Sequence, residues 1–177
     1  MSSWKSIFMA GVVSIALAAA FAADKPKQPK SVTVSLQNAQ GKSVGTAILS
    51  KASNGVKIKL NVHDLSPGQH AIHVHQTANC EPPAFTSAGG HFNPEGKHHG
   101  LENPAGPHAG DLPNFTVDAK GNSKATIVAP NLTLADGPDS VFTGGGTALV
   151  IHAKADDMKS DPAGNSGDRI ACGVIKK

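Results

Sequence analysis

Histidines dominate the part of this sequence that could bind a metal ion. The chain of 177 residues contains nine histidines, and seven of them lie between His70 and His108. Imidazole is the commonest metal ligand in proteins, but a single histidine is more often a surface or core residue. Whether each histidine is predicted to be a metal ligand therefore depends on its spacing from the other candidate ligands in the sequence.

A pair of histidines flanks Val74 in the segment HAIHVH, which alternates as a β-strand does. Residues i and i+2 of a strand project from the same face, so His73 and His75 lie about 7 Å apart at their Cα atoms. This arrangement is either a pre-oriented metal-binding pair or the polar face of an edge strand. His152 ends a second apolar segment, TALVIH, and can join the pair only if that strand lies beside the first.

Further candidate ligands lie in a stretch rich in Gly, Pro and Asn. Three imidazoles and one carboxylate form a complete tetrahedral shell for zinc, and the residues that could supply it are His91, His99, His108 and Asp111. The alternative is a solvated histidine-rich loop with loose metal affinity. The ordered spacing and the closing aspartate argue against that alternative, although His98 could exchange roles with His99.

The elements that must position these residues are predicted to be strands. Eight short apolar/polar alternations are separated by turn residues, and no stretch of ten residues has a helical period. The sequence therefore predicts an all-β fold, either a sandwich or a barrel. The predicted strands are 31–37, 44–50, 56–63, 70–75, 114–118, 124–129, 147–152 and 170–175.

Two long irregular stretches interrupt this pattern, at residues 76–113 and 153–169. Each begins directly after a strand that ends in histidine. Loops of this length in a compact domain are usually functional or disordered. Both are therefore predicted to be functional loops.

The amino terminus resembles an export signal. The uncharged apolar run of residues 6–22 follows Lys5 and ends in Ala20-Phe21-Ala22, so residues 1–22 are predicted to be a cleaved signal peptide. An uncleaved membrane anchor is the alternative, because the run nearly reaches spanning length. Residues 23–30 are a Lys/Pro-rich stretch that we expect to be a flexible arm, and residues 31–177 form the domain. The expected location is periplasmic or extracellular, without a stable membrane anchor.

The charge of the chain bears on which molecules it could bind, and its cysteine content bears on the redox state of its compartment. The formal net charge of +3 falls to +2 once Lys5 is removed, and no basic block or aromatic platform indicates nucleic-acid binding. Two cysteines, Cys80 and Cys172, predict one disulfide in an exported chain. Free thiols or metal-ligating cysteines are the alternative, which the absence of a CxxC pair disfavours.

Several segments, in order along the chain, resemble exported bacterial copper-zinc superoxide dismutases. They are GQHAIHVH, SAGGHFNP, GPHAGDLPN, ALVIHAKADD and GNSGDRIACGVI, with Cys80 after the first, and the resemblance extends from about Val32 to the end of the chain. It implies an eight-stranded Greek-key β-sandwich or barrel with two long functional loops. It also implies one copper and one zinc per subunit, with superoxide as the substrate and a subunit that is monomeric or homodimeric.

The resemblance assigns the metal ligands. Copper would bind His73, His75, His91 and His152, and zinc would bind His91, His99, His108 and Asp111, so that His91 bridges the two metals. Asp156 is implied as the carboxylate that orients His73 and His99 through hydrogen bonds. His63, His70 and His98 have no ligand role in the pattern and are expected at the surface.

The resemblance also implies the remaining roles. Cys80 and Cys172 match the family disulfide, and Arg169 matches the guanidinium that attracts and orients the anion beside the copper. The implied reaction is dismutation of superoxide to dioxygen and hydrogen peroxide, with redox chemistry at copper and a proton taken up by His91. A metal store would not need Arg169, and an interaction domain with only a structural zinc would leave His152 unexplained.

Overall fold

Nine β-strands form the framework of the part of the chain that the structure describes. The computed structural model describes Met1 and residues 28–177, so the rest of the predicted signal peptide and residues 23–27 of the arm lie outside the described residues. None of the described residues forms a helix long and apolar enough to cross a membrane. The strands are β1 (Ser31–Asn38), β2 (Ser43–Ala52), β3 (Gly55–Val62), β4 (Gly68–His70), β5 (Ile72–His75), β6 (Phe115–Val117), β7 (Ser123–Ala129), β8 (Thr147–His152) and β9 (Arg169–Ile175).

Seven of these strands form one antiparallel sheet in the order β5-β8-β9-β1-β2-β3-β7. The remaining two, β4 and β6, pair with each other. Because β4 leads directly into β5, and β6 leads through a tight turn at Asp118–Asn122 into β7, this small pair lies between the two edges of the curled sheet. The all-β prediction is confirmed, and the closed arrangement is consistent with a Greek-key barrel.

One predicted strand is divided. The segment 70–75 forms β4 and β5, which belong to different sheets and are separated at Ala71. The N–H of Ala71 donates to the carbonyl of Lys154 (2.8 Å), and its own carbonyl accepts from the N–H of His152 (2.9 Å). The end of β8 and the start of the second long loop therefore take up the backbone hydrogen bonds of Ala71 that would otherwise continue the strand.

Alternation along the strands builds the core. Inward residues of β3 such as Ile58 and Leu60 are buried, and outward residues such as Lys59 are exposed. All six residues of β8 are buried, which is expected of a strand covered on both faces. Its inner face packs in the barrel, and its outer residues Ala148 and Val150 pack under Phe85 of the first long loop.

The two long connections lie where the sequence predicts them. Between β5 and β6 the chain forms only a short 3-10 turn, at Thr86–Ala88, and between β8 and β9 it forms no regular element. A disulfide joins Cys80 in the first connection to Cys172 in β9, with Cα atoms 5.7 Å apart. The predicted disulfide is thereby confirmed, and it fastens the first loop to the strand that follows the second.

Candidate metal centre

Two adjacent strands carry three of the predicted ligands. His73 and His75 lie on β5, and β8 pairs with β5 in a register that sets Ile151 opposite Ile72. His152 follows Ile151 directly, and the rings of His152 and His73 have centroids 4.9 Å apart. The antiparallel pairing therefore brings together imidazoles that are almost 80 residues apart in sequence.

The first long loop folds back along β5 and adds the other ligands. The N–H of Phe92 donates to the carbonyl of Val74 (2.8 Å), and the N–H of Val74 donates to the carbonyl of Gly110 (2.9 Å). These bonds place His91 opposite His75 and Asp111 opposite His73. A Cβ atom at position 110 would lie 2.2 Å from the carbonyl oxygen of Val74, so only glycine permits this close approach.

Four imidazoles form the first of two ligand groups. One ring nitrogen from each residue lies within 4.8 Å of the others, and the residues are His73, His75, His91 and His152. The atoms that converge in the interior, Nδ1 of His73 and Nε2 of the other three, are buried and have no hydrogen-bond partner among the described residues. Buried nitrogens of this kind are rare unless they have a ligand, and four imidazoles suit copper. We name these residues the imidazole group.

Hydrogen bonds on the far side of each ring fix its tautomer. Nδ1 of His75 faces the carbonyl of Gly89 (2.9 Å), and Nδ1 of His152 faces the carbonyl of Gly167 (3.2 Å). Because a carbonyl can only accept, each Nδ1 carries the hydrogen and each Nε2 presents a lone pair to the interior. Nε2 of His73 lies 2.7 Å from Asp156 Oδ2, which leaves its Nδ1 facing the same interior.

A single carboxylate organises the second group, which consists of His91, His99, His108 and Asp111. Asp111 Oδ1 lies 2.8, 3.0 and 3.3 Å from the Nδ1 atoms of His91, His99 and His108 respectively. Asp111 Oδ2 accepts from the backbone N–H groups of Gly100 (2.8 Å) and His108 (3.0 Å). Three imidazoles and a carboxylate at these separations fit the tetrahedral shell of zinc. We name this set the carboxylate group.

Two residues join the groups. His91 belongs to both, because its Nε2 faces the imidazole group and its Nδ1 faces Asp111. Asp156 also links them, since its Oδ2 bonds His73 and its Oδ1 bonds Nε2 of His99 (3.0 Å). His98, by contrast, has a side chain that is 64% exposed and bonds Asp161.

Three rings of the imidazole group, those of His75, His91 and His152, are held neutral. Burial, followed by the nearby ring of His73, lowers the pKa of His152 to about 3. Burial lowers the pKa of His91 to about 4, although the hydrogen bond to Asp111 opposes it. Burial and the neighbouring His91 lower the pKa of His75 well below its usual value. These rings therefore present free lone pairs at neutral pH, as metal ligation requires.

Two members of the carboxylate group, His99 and Asp111, are charged. Burial by itself lowers the pKa of His99, but hydrogen bonds to Asp111 and Asp156 outweigh it and raise the pKa to about 9. Burial also opposes ionisation of Asp111, yet hydrogen bonds from His91 and His99 hold its pKa far below the usual range. Asp156 behaves in the same way, because His73 and His99 donate to it.

Arg169 stands at the start of β9, directly across from His152 in the sheet register. Its Nη1 donates to the carbonyl of Phe85 and its Nη2 to the carbonyl of Gly89, both at 2.7 Å. No carboxylate forms an ion pair with it among the described residues, and this includes the adjacent Asp168. The guanidinium is therefore fixed by neutral carbonyls, and its positive charge is uncompensated beside the imidazole group.

The expectation that His70 lies at the surface is wrong. Its ring is 1% exposed, and its Nδ1 donates to the carbonyl of His152 (2.7 Å). Its burial agrees with strand alternation, which places His70 on the same side as Ile72 and Val74, both buried in the core. The surface expectation rested instead on the lack of a ligand role in the family pattern. His63, at 48% side-chain exposure, and His98 do lie at the surface.

Sequence reasoning also missed two residues that support Asp156. The side-chain amide of Asn114 donates to the carbonyl of Asp156 (2.9 Å), and its Oδ1 accepts from the Asp156 N–H (2.8 Å). Gly164 has a φ of +62°, and a Cβ atom there would overlap the Asp156 carboxylate. Asn114 ends the conspicuous segment GPHAGDLPN, which is the one signal that could have drawn attention to it.

Comparisons with known proteins agree with this geometry. The profile of the copper/zinc superoxide dismutase family matches residues 43–175. Cu-Zn superoxide dismutase 2 of Aquifex aeolicus is 54% identical over 143 residues, which span 80% of this chain and 84% of that protein. The crystal structure of a superoxide dismutase-like protein from Bacillus subtilis superposes with a TM-score of 0.78 at 40% identity, covering 81% of this chain and 97% of that one.

The Cu/Zn superoxide dismutase from Brucella abortus superposes with a TM-score of 0.71 at 34% identity, covering 82% of this chain and 99% of that one. The likeness therefore spans the described domain in sequence and in structure. The chain belongs to the copper/zinc superoxide dismutase family, whose members use copper and zinc.

Proposed function

We propose that this protein catalyses the dismutation of superoxide to dioxygen and hydrogen peroxide. The observation that carries the proposal is the imidazole group beside the fixed charge of Arg169, because its four buried ring nitrogens converge with no hydrogen-bond partner in the described part of the chain. Membership in the family supports the same activity. A metal store would need the nitrogens but not the guanidinium.

The ligand assignment follows the two groups. We assign copper to His73, His75, His91 and His152, and zinc to His91, His99, His108 and Asp111. Copper in the first position supplies one-electron redox chemistry, and zinc in the second supplies a redox-inert positive charge. The assignment of His99 rather than His98 is supported by the hydrogen bonds of its ring to Asp111 and Asp156.

The chain's own residues then bind the anion and handle the proton. Arg169, held by two carbonyls, attracts superoxide and directs its remaining N–H groups toward it. Nε2 of His91 faces the imidazole group, and it is the position at which the chain can hold a proton and donate it to the reduced anion. Asp156 keeps His73 and His99 in a single orientation.

Superoxide consumption by the copper- and zinc-loaded protein tests the proposal. Changes in the residues that orient a metal ligand typically cost about 10–100-fold, so loss of a ligand in His152→Ala should cost at least about 100-fold. His63→Ala, an exposed histidine outside both groups, should keep the full rate. A wild-type protein that binds both metals, as metal analysis would show, but consumes superoxide no faster than His152→Ala would be a store, and the proposal would fail.

We also propose export. Residues 1–22 would be removed as a signal peptide, residues 23–30 would form the arm, and residues 31–177 would function in the periplasm or outside the cell. The disulfide between Cys80 and Cys172 supports this location, because such bonds persist in oxidising compartments. Mass spectrometry of the exported protein checks it, with a mature chain that begins after Ala22 as the expected result.

A further inference from the structure

The charged residues of this protein are segregated along the chain. Residues 28–63 contain five lysines and no aspartate or glutamate, whereas residues 64–177 contain eight basic and twelve acidic residues. Strands β1, β2 and β3 all come from the first part. The neighbouring strand β7 adds Lys124 and no acidic residue. The tertiary structure therefore converts a difference along the sequence into a difference between two sides of the barrel.

Three lysines project from one side of this sheet. Lys57 and Lys59 alternate with the buried Val56, Ile58 and Leu60, so they point outward from β3. Lys124 on β7 is exposed and lies opposite Asn61 of β3. The lysines that form ion pairs, Lys97, Lys159 and Lys177, lie in other parts of the described chain. Within residues 28–177, the three outward lysines are not neutralised by carboxylates.

Exposed aliphatic side chains lie between these lysines. Ile48 on β2 is opposite Lys59, and Val128 on β7 is opposite Lys57, and opposite residues of an antiparallel pair share a face. Ile48 is 42% exposed and Val128 is 39% exposed. Among the described residues, only Leu101 and the terminal Met1 are comparable exposed apolar side chains. We name the surface formed by Ile48, Lys57, Lys59, Lys124 and Val128 the basic face.

The chain enters the domain beside the basic face with further positive charge. Lys30 precedes β1, whose first residue, Ser31, pairs with Ser50 on β2, and Lys51 follows Ser50. Both lysines are exposed. Lys30 and Lys51 therefore add positive charge at this edge.

We propose that the basic face docks on an anionic phospholipid bilayer, with the lysines at the lipid phosphates and with Ile48 and Val128 among the upper acyl carbons. Positive charge alone would fit any polyanion. Aliphatic side chains placed between the lysines favour a bilayer, because a soluble polyanion has no apolar phase to receive them. Strands β2 and β3 lie across the barrel from β5 and β8, so docking leaves the metal centre open to the aqueous side.

Vesicle sedimentation with the purified, metal-loaded protein tests the proposal. The probes are vesicles of equal parts phosphatidylglycerol and phosphatidylcholine, and vesicles of phosphatidylcholine alone. Wild type should bind only the first. Each lysine contributes about fivefold to partitioning onto such a surface, so K57Q/K59Q/K124Q should bind more than about 100-fold more weakly. I48S/V128S should bind about fivefold more weakly, with an unchanged dependence on salt.

A matched variant distinguishes the effect of the basic face from the effect of net charge. K97Q/K159Q/K176Q removes the same charge elsewhere and should stay within about threefold of wild type. Equal losses in the two triple variants would overturn the proposal. So would equal binding to both kinds of vesicle, which an uncleaved apolar segment would produce. A change from dimer to monomer confined to the basic-face variant would assign the face to a second copy of the chain instead.

Discussion

The two ligand groups of the metal centre satisfy their polar atoms in different ways. In the carboxylate group, Asp111 receives hydrogen bonds from ring nitrogens and from the backbone N–H groups of Gly100 and His108, so the first long loop closes on itself. In the imidazole group, four nitrogens face one another with no partner among the described residues. The first arrangement stabilises the fold, and the second keeps ligand atoms available at a cost in stability.

The difference implies that one group supports the fold while the other performs the chemistry. The carboxylate group carries opposite charges in contact, His99 against Asp111 and Asp156, and it orders a loop that has almost no regular structure of its own. The imidazole group lies largely on β5 and β8, which the barrel holds in place. Because the sheet holds these strands rigidly, the ring nitrogens of the imidazole group are not needed to stabilise the fold and can bind a metal.

The largest expected effect is that of Asp111→Ala on stability. The change would leave the charged ring of His99 and two backbone N–H groups buried without their acceptor. Breaking a buried pair in this way costs about 3–5 kcal/mol in the free energy of unfolding. Denaturant unfolding of the metal-free protein measures it, with the exposed Asp168→Ala as control. A loss below about 1 kcal/mol would remove the distinction between the groups.

The pH dependence of zinc binding sharpens the comparison. Because the pKa of His99 is raised to about 9, the ring is protonated at neutral pH and must lose its proton to bind a metal. Zinc affinity should therefore rise about tenfold per pH unit between pH 7 and 9 and level off above that. Calorimetry in buffers of different ionisation enthalpy should show about one proton released from His99 per zinc bound. If His99→Gln releases as many protons as wild type, His99 is not their source.

The smallest expected effect on stability is that of His75→Leu in the imidazole group. Leucine fills a similar volume and removes a buried nitrogen that has no partner. The carbonyl of Gly89 keeps its hydrogen bond from Arg169 after the donor of His75 is lost. Unfolding of the metal-free variant should stay within about 1 kcal/mol of wild type, while superoxide consumption falls as in His152→Ala. A loss near that of Asp111→Ala would contradict the division of roles.

The local sequence pattern predicted most of the β-strands, because apolar and polar residues alternate regularly in this chain and its turns contain Gly, Asn and Pro. The prediction failed at Ala71, where backbone bonds to Lys154 and from His152 divide one strand between two sheets. No local signal marks that break, since both partners lie some 80 residues away in the chain. The misplacement of His70 has a separate cause. It rested on the lack of a ligand role in the family pattern, although alternation with the buried Ile72 and Val74 indicates an inward side chain.

Residue type and order by themselves identified the candidate zinc ligands and the pair His73 and His75, whereas the family resemblance added His152 and divided the ligands between two metals. Two cysteines in a chain with an export signal predicted one disulfide. Only the tertiary structure decided how the ligands are supported, through the amide of Asn114 and the space that Gly164 leaves for Asp156. It also decided that lysines scattered along the sequence share one side of the barrel. Both depend on contacts between distant segments, which pairing across the sheet creates and local pattern does not encode.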